Sequence, residues 1–278
     1  MRETHDADLK RLTTVRIGGT ADRLLEPEST QELLELIRTE HPCHFVGGGS
    51  NLLVNDRTFD LVVSLKSFDK SLESYGEGNY RVGASMRLPS LINSINRDGY
   101  GGIEYLCNVP GLVGGAIAMN AGTGRAVGKS ISDYLISVDV IENGEIVTMP
   151  RDLCGFDYRN SIFKGSAERI ITSALFCFPA MPQDKIEEAK AAKMRLYRKR
   201  QDPSHPNFGS VFSRSNRAIM RLARLLALGG KVHFSRKTTN WIVNEGGGYN
   251  DAIDAISKVE RIHKRLHKEC KREVIVWE

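Results

Sequence analysis

The sequence predicts an α+β protein, with a glycine-rich unit over residues 1–180 and a smaller α/β unit over residues 181–278. Three observations carry this. Short apolar runs of strand length alternate with glycine turns before residue 180, as in HFVGGGSNLLV (44–54). The chain changes character at Pro179 and Pro182, where a run of strong helix formers, DKIEEAKAAKMRLYRKR (184–200), takes over. The 26 glycines gather in short blocks rather than spreading evenly.

The elements follow in order. Residues 1–12 read as a polar lead-in, and TTVRIGG with TADRLLEP as two short strands around a glycine turn. TQELLELIRT (30–39) places Leu33, Leu34 and Ile37 on one helix face. LVVSL (61–65) is a strand, and a helix over 88–97 presents Leu91, Ile92 and Ile95. ISVDVIENGEIVTM (136–149) alternates like a hairpin turning at Asn143-Gly144. In the second unit the helix 184–200 carries Ile186, Ala189 and Met194 near one stripe. RAIMRLARLLALGG (217–230) is a helix ending at a Gly pair. The helix near 250–268 lines up Ile253, Ile256, Val259, Ile262 and Leu266, and VIVW (274–277) closes the chain as a strand.

Composition narrows the function. A hydrophobic fraction of 41% across 278 residues supports cores large enough for a sizeable ligand. The net charge of +5 suits a phosphorylated or carboxylated small molecule and gives no ground for a nucleic-acid partner. The basic runs Lys190–Arg200 and Lys258–Arg272 read first as solvated helix faces. Five scattered cysteines without a Cys-x-x-Cys argue against disulfides and structural zinc, so no metal is expected. The polar start MRETHDADLKRL and the lack of an 18-residue apolar run predict a cytoplasmic protein outside the membrane, and a monomer is expected.

Four glycine blocks hold most of the information: RIGG (16–19), GGGSNLLV (47–54), NVPGLVGGAIAMNAGTG (108–124) and NEGGG (244–248). Glycine lets backbone approach a ligand, and successive N–H groups can form an anion-binding nest for a pyrophosphate. Ser50 and Asn51 add donors beside one nest, and Pro110 fixes a turn before Gly111. Neither the dinucleotide G-x-G-x-x-G fingerprint nor a GK[ST] phosphate loop is present. RIGG alone also reads as turn chemistry.

The segments TTVRIGGTADRLLEP, FVGGGSNLLVND, GIEYLCNVPGLVGGAIAMNAG, FDYRNSIFK, QDPSHPNFGSVF and NWIVNEG, in this order, resemble the FAD-dependent UDP-N-acetylenolpyruvoylglucosamine reductases of peptidoglycan precursor synthesis. The resemblance implies a two-subdomain FAD-binding unit of the vanillyl-alcohol-oxidase type over residues 1–180, which C-terminal residues can complete. It implies a substrate-binding domain over 181–278 and the shorter subclass of the family. NADPH would reduce FAD, which would then reduce the enolpyruvyl group of a UDP-sugar. The cofactor residues implied are Arg16, Gly47, Gly48, Gly49, Ser50 and Asn51, then Pro110, Gly111, Gly114, Gly115, Asn120 and Gly122.

The same resemblance makes Ser210 the proton donor, Arg159 the cation that stabilises charge developing on the substrate carboxylate, and Glu273 an aid to that carboxylate. Lys199 and Arg200 would meet the diphosphate or the nicotinamide cofactor, with Tyr158 and Asn240 supporting substrate. Competing structural readings stand beside these: an ordinary turn serine at 210, an arginine at 159 bracing Asp157 or a carbonyl, a surface glutamate at 273, and a solvated helix end at 199–200. His205 and His233 read as local structure.

The match departs toward the substrate side. GSVFSR has Ser213 and Arg214 where the family has lysine and asparagine. NAGTGR loses a tyrosine and gains Arg125, and Arg272 replaces a proline before Glu273. GGKVHFSRKTTNW (229–241) is altered as well. An FAD-binding paralogue acting on another substrate, or a non-catalytic flavin protein, is therefore an alternative.

Overall fold

The main hydrophobic core of each compact unit lies wholly inside that unit, and a smaller cluster around Leu33, Leu36 and Val63 adds to the first. The computed structural model describes residues 1–41, 44–225 and 230–278. The first unit comprises residues 1–4, 24–48 and 61–197, and the second 5–23, 49–60 and 198–278. These units alternate along the sequence. The reason is the second core, which gathers Val15, Ile17 and Leu53 with Phe208, Ile242, Ile256 and Val274.

Six helices lie among the described residues: α1 (Thr30–Glu40), α2 (Leu88–Arg97), α3 (Val113–Ala118), α4 (Gln183–Arg200), α5 (Arg217–Leu225) and α6 (Tyr249–Arg265). Ser29 caps α1 by accepting from the Glu32 amide. Pro89 sits in the first turn of α2, where its missing N–H costs nothing. Leu88, Leu91, Ile92 and Ile95 are fully buried on its inner face, each stabilising by about 1.5–3 kcal/mol.

The main sheet of the first unit has five antiparallel strands: Leu72–Gly76, Asn79–Gly83, Arg169–Cys177, Leu135–Glu142 and Glu145–Pro150, in that order. The last two form the expected hairpin, with Asn143 (φ 52°) and Gly144 (φ 75°) both left-handed at its turn. The strands Phe45–Val46 and Leu52–Val54 flank the GGGS turn without pairing to each other. The first runs parallel to Val63-Ser64, the second parallel to Ile275–Trp277. In the second unit, Asn207–Ser210, Trp241–Asn244 and Val232–Phe234 make a three-stranded antiparallel sheet in that order.

Several sequence expectations change. The lead-in contains a strand, Arg2–Asp8, followed by a 3-10 turn at Leu9–Leu12, whereas TTVRIGG is not a strand. The Thr13 hydroxyl accepts from the Ile17 amide and donates to its carbonyl, closing a loop that competes with strand pairing. On α4 the inward stripe is Ile186, Ala189, Lys193 and Tyr197, and Met194 is exposed. On α6 Leu266 is exposed and His263 is buried. Its Nε2 accepts from the Asn216 amide while Nδ1 bonds the Val259 carbonyl. The described part of α5 ends at Leu225, and the rest of the expected helix, at 226–229, lies outside the described residues.

Gly49 is the glycine with the least freedom for replacement. Its φ is 60°, and a Cβ would lie 1.8 Å from the Leu12 carbonyl oxygen. Gly49→Ala is expected to destabilise by about 3 kcal/mol or more, lowering Tm by roughly 6–12 °C at 2–4 °C per kcal/mol for a chain of this size. A thermal melt of the variant against wild type checks this.

Candidate active site

In the first unit, the two central glycine blocks come together. A Cβ on Gly48 would lie 3.5 Å from the Gly111 Cα and the Leu112 amide nitrogen, and one on Gly47 3.7 Å from a Leu112 methyl. Pro110 and Gly115 are exposed, and Gly115 faces open space within 4 Å of where its Cβ would be. Gly114 is glycine for a different reason: its amide donates to Ala84 O at 2.8 Å, and a Cβ would meet the Ala84 methyl at 3.0 Å. Val113 likewise donates to Met86 O. These two N–H groups are spent inside the fold, so this block offers a ligand its exposed surface at Gly115.

The turn after α3 holds Arg159. Asn120 is 5% exposed and left-handed, at φ 42°. Its Nδ2 donates to Asp157 O at 3.0 Å, while its buried Oδ1 has no hydrogen-bond partner. Arg159 is left-handed as well, at φ 57°, and its Nη2 donates to Gly122 O at 2.6 Å. A longer contact, 3.4 Å, runs from Nη1 to Asn120 O. The arginine thus braces carbonyls, as the structural reading expected, and this brace also fixes its guanidinium. Gly122 pairs with Ser130, and a Cβ there would strike Lys129 O, so its glycine character is explained within the chain.

Tyr158 lies beneath two guanidinium groups, Arg125 at 5.1 Å and Arg159 at 5.3 Å from its ring centre. Lys193 is a further cation that sequence reading missed. Desolvation is the chief cause that holds its ammonium below the usual lysine range; the Cys107 thiol opposes this and the Arg159 charge adds to it. Its signal was the α4 register, in which Lys193 falls seven residues after Ile186 on the inward stripe.

In the second unit, Ser210 and Glu273 share a backbone junction. The Glu273 amide donates to Val211 O at 2.7 Å, one residue beyond Ser210, and Asn51 Nδ2 donates to Glu273 O at 3.2 Å. Gly209 precedes the serine at φ 76°, with open space where a Cβ would stand. Asn240 locks the next residues: its carbonyl accepts from Val211, its Oδ1 from the Phe212 amide, and its Nδ2 donates to Phe212 O. Its role in the fold is to hold the serine strand. Arg16 is exposed at φ 58°. Lys199 and Arg200 are exposed at the end of α4, and the Arg200 carbonyl accepts from the Thr238 hydroxyl.

The other glycine blocks serve the fold. Asn244 Oδ1 accepts from the amides of Gly246 and Gly247, and Asp56 accepts from the Tyr249 amide at the start of α6. A Cβ on Gly19 would lie 1.8 Å from Arg57 O. His205 and His233 approach the Glu245 carboxylate at 3.8 and 3.3 Å, lining a cavity of about 230 Å³ with Asp202, Ser204, Arg236 and Val243. Among the described residues there is no cluster of metal-ligating side chains and no helix long and apolar enough to cross a membrane.

The donor set fits a flavin. The first unit by itself supplies an exposed glycine surface and an orphaned buried amide oxygen that a ligand N–H would satisfy. A family model described as a FAD binding domain matches residues 21–149. A UDP-N-acetylenolpyruvoylglucosamine reductase of Carboxydothermus hydrogenoformans is 38% identical over 272 residues, covering 92% of this chain and 86% of that protein. One from Rubrobacter xylanophilus is 34% identical over 284 residues, covering 98% and 94%. The crystal structure of the corresponding reductase (MurB) from Thermus caldophilus superposes with a TM-score of 0.81 at 28% identity, covering 100% of this chain and 98% of that one.

Proposed function

This chain belongs to the UDP-N-acetylenolpyruvoylglucosamine reductase family, and we propose that it uses NADPH to reduce UDP-N-acetylglucosamine enolpyruvate to UDP-N-acetylmuramate. It is an FAD-dependent oxidoreductase. The observation that carries the proposal is the junction in which Asn51 holds Glu273 O while the Glu273 amide holds Val211 O, beside Ser210. The backbones of Val211 and Glu273 and the Asn51 side chain, far apart in sequence, thereby share one hydrogen-bonded frame, which supports a common role for Ser210, Glu273 and Asn51.

When bound, FAD supplies the two-electron chemistry that carries hydride from NADPH to the enolpyruvyl double bond. The protein's own residues do the rest. Arg159 pairs with the substrate carboxylate and stabilises the negative charge that grows on it as the double bond is reduced. The Ser210 hydroxyl delivers a proton to the α-carbon; the small left-handed Gly209 leaves room for that approach. Glu273 assists at the carboxylate end of the same group. Gly47, Gly48, Gly111 and Gly115 contact the cofactor, as do Ser50, Asn51 and Arg16, while Gly49 is glycine because a Cβ there would meet the Leu12 carbonyl. Lys199 and Arg200 attract the diphosphate, and Tyr158 orients substrate beside Arg159.

The test has two stages. NADPH should bleach the bound flavin, and UDP-N-acetylglucosamine enolpyruvate should then restore its colour. Bleaching without substrate-dependent recovery would overturn the substrate assignment, and a protein that retains no FAD would overturn the whole reading. A Gly115→Ala variant separates cofactor contact from folding. Its methyl has open space, and alanine in a helix is favoured over glycine by about 0.5–1 kcal/mol. Apoprotein stability should hold or rise while FAD affinity falls about tenfold in a fluorescence titration, the magnitude of one lost 1.4 kcal/mol contact.

A further inference from the structure

Asn120 combines three features that ordinary turn residues do not share. It is almost fully buried, it holds a left-handed backbone that asparagine tolerates but does not require, and its Oδ1 lacks any partner. A buried amide oxygen without a donor is costly, so its retention points to a donor that arrives with a ligand. The orientation of the amide is not arbitrary. Exchanging Oδ1 and Nδ2 would set the oxygen against Asp157 O and break the 3.0 Å bond between Nδ2 and that carbonyl.

The other end of Asn120 acts on Arg159. The Asp157 carbonyl that Asn120 grips belongs to a tight turn in which Asp157 and Asn160 exchange backbone bonds at 3.1 Å, with Arg159 inside it. Ser161 extends the same seam, donating from its hydroxyl to Ala118 O at 2.7 Å. The last turn of α3 and the loop behind it are thereby zipped to the arginine turn. The exposed Gly115 lies on that same short helix.

We propose that Asn120 is a positioning residue that couples the two sites: its Oδ1 accepts from an N–H or O–H of bound FAD, and its Nδ2 and carbonyl hold the Arg159 turn in the geometry that meets the substrate carboxylate. Without the cofactor the side-chain amide is anchored on one side only, through the bond from Nδ2 to Asp157 O. Occupied, it is satisfied on both sides and the turn stiffens. Cofactor binding thus prepares the cation that serves the second half of the reaction. This inference rests on the FAD assignment above but not on the identity of the sugar-nucleotide substrate.

The test is hydrogen exchange of the 155–163 segment in apoprotein and in FAD-loaded protein. In wild type, FAD should slow exchange of the Asn160 amide about tenfold. Asn120→Gly accepts the left-handed backbone without penalty and removes both amide groups. In this variant the FAD-dependent slowing should disappear, and FAD affinity should fall several-fold. Asn120→Asp keeps an acceptor at Oδ1 but loses the donor to Asp157 O; it should retain FAD affinity better than the glycine variant and still lose the slowing. A purely structural asparagine would raise exchange equally with and without FAD. Equal protection in wild type and Asn120→Gly, or no protection in wild type, overturns the proposal. Failure of the enolpyruvyl substrate to recolour the flavin would overturn the functional reading alone, because the exchange experiment contains no substrate.

Discussion

Ser210→Ala should bleach with NADPH at the wild-type rate and recover its colour with UDP-N-acetylglucosamine enolpyruvate about 10³-fold more slowly, the range expected when a general acid is removed. The two half-reactions divide because the first needs no proton on the substrate carbon. The substitution itself is small. Ser210 follows a left-handed glycine and ends a strand paired at Trp241, while the neighbouring Val211 and Phe212 are held by Asn240 through backbone bonds. Losing one hydroxyl leaves that frame in place, so Tm should move by no more than about 2 °C for a surface-scale change of ~0.5 kcal/mol. Stopped-flow absorbance of the flavin reads both steps. Equal slowing of both, or of neither, would remove Ser210 from the proton-donor role.

Arg159→Gln should slow the recovery step about 10²–10³-fold, the usual cost of removing a group that stabilises developing charge. Lysine should rescue little, because a point charge on a flexible stem does not replace a planar fork aimed at a carboxylate. Here a structural loss accompanies the chemical one. Arg159 also donates to the carbonyls of Gly122 and Asn120, and its removal strands those acceptors. A stability loss of about 1.5–3 kcal/mol is expected for a charged hydrogen bond of this kind. The signature of the catalytic role is therefore the recovery rate measured at a temperature where the variant is still fully folded. If kcat for recovery were unchanged there while Tm fell, the arginine would be only a brace.

The elements most readily read from sequence were those with a strong local signal. The helix expected over 88–97 is present as Leu88–Arg97, and the hairpin turns at Asn143-Gly144, where two left-handed residues are needed. The elements that sequence misread depend on distant partners. Arg2–Asp8 is polar because it is largely exposed along its length, which hides a strand from any test of apolar alternation. Lys193 and His263 both sit inward: the Asn216 amide meets His263 there, while Lys193 accepts a desolvation that lowers its pKa. Hydropathy cannot anticipate either.

By itself, the sequence determined the type of protein and its candidate chemistry. Glycine blocks, the GSVF serine, the DYRN arginine and the terminal glutamate are local patterns, and a local pattern survives in one dimension. The tertiary structure decided which glycines have open space beside them and which relieve a clash, because that depends on what lies opposite: open space at Gly115, the Leu12 carbonyl at Gly49, Lys129 at Gly122. It also decided that residues 5–23 and 49–60 join the C-terminal part of the chain in one core, which brings Asn51 to Glu273 across 222 positions of sequence. Hydrophobic burial is indifferent to order along the chain, so the compact unit that holds the serine was never a contiguous segment.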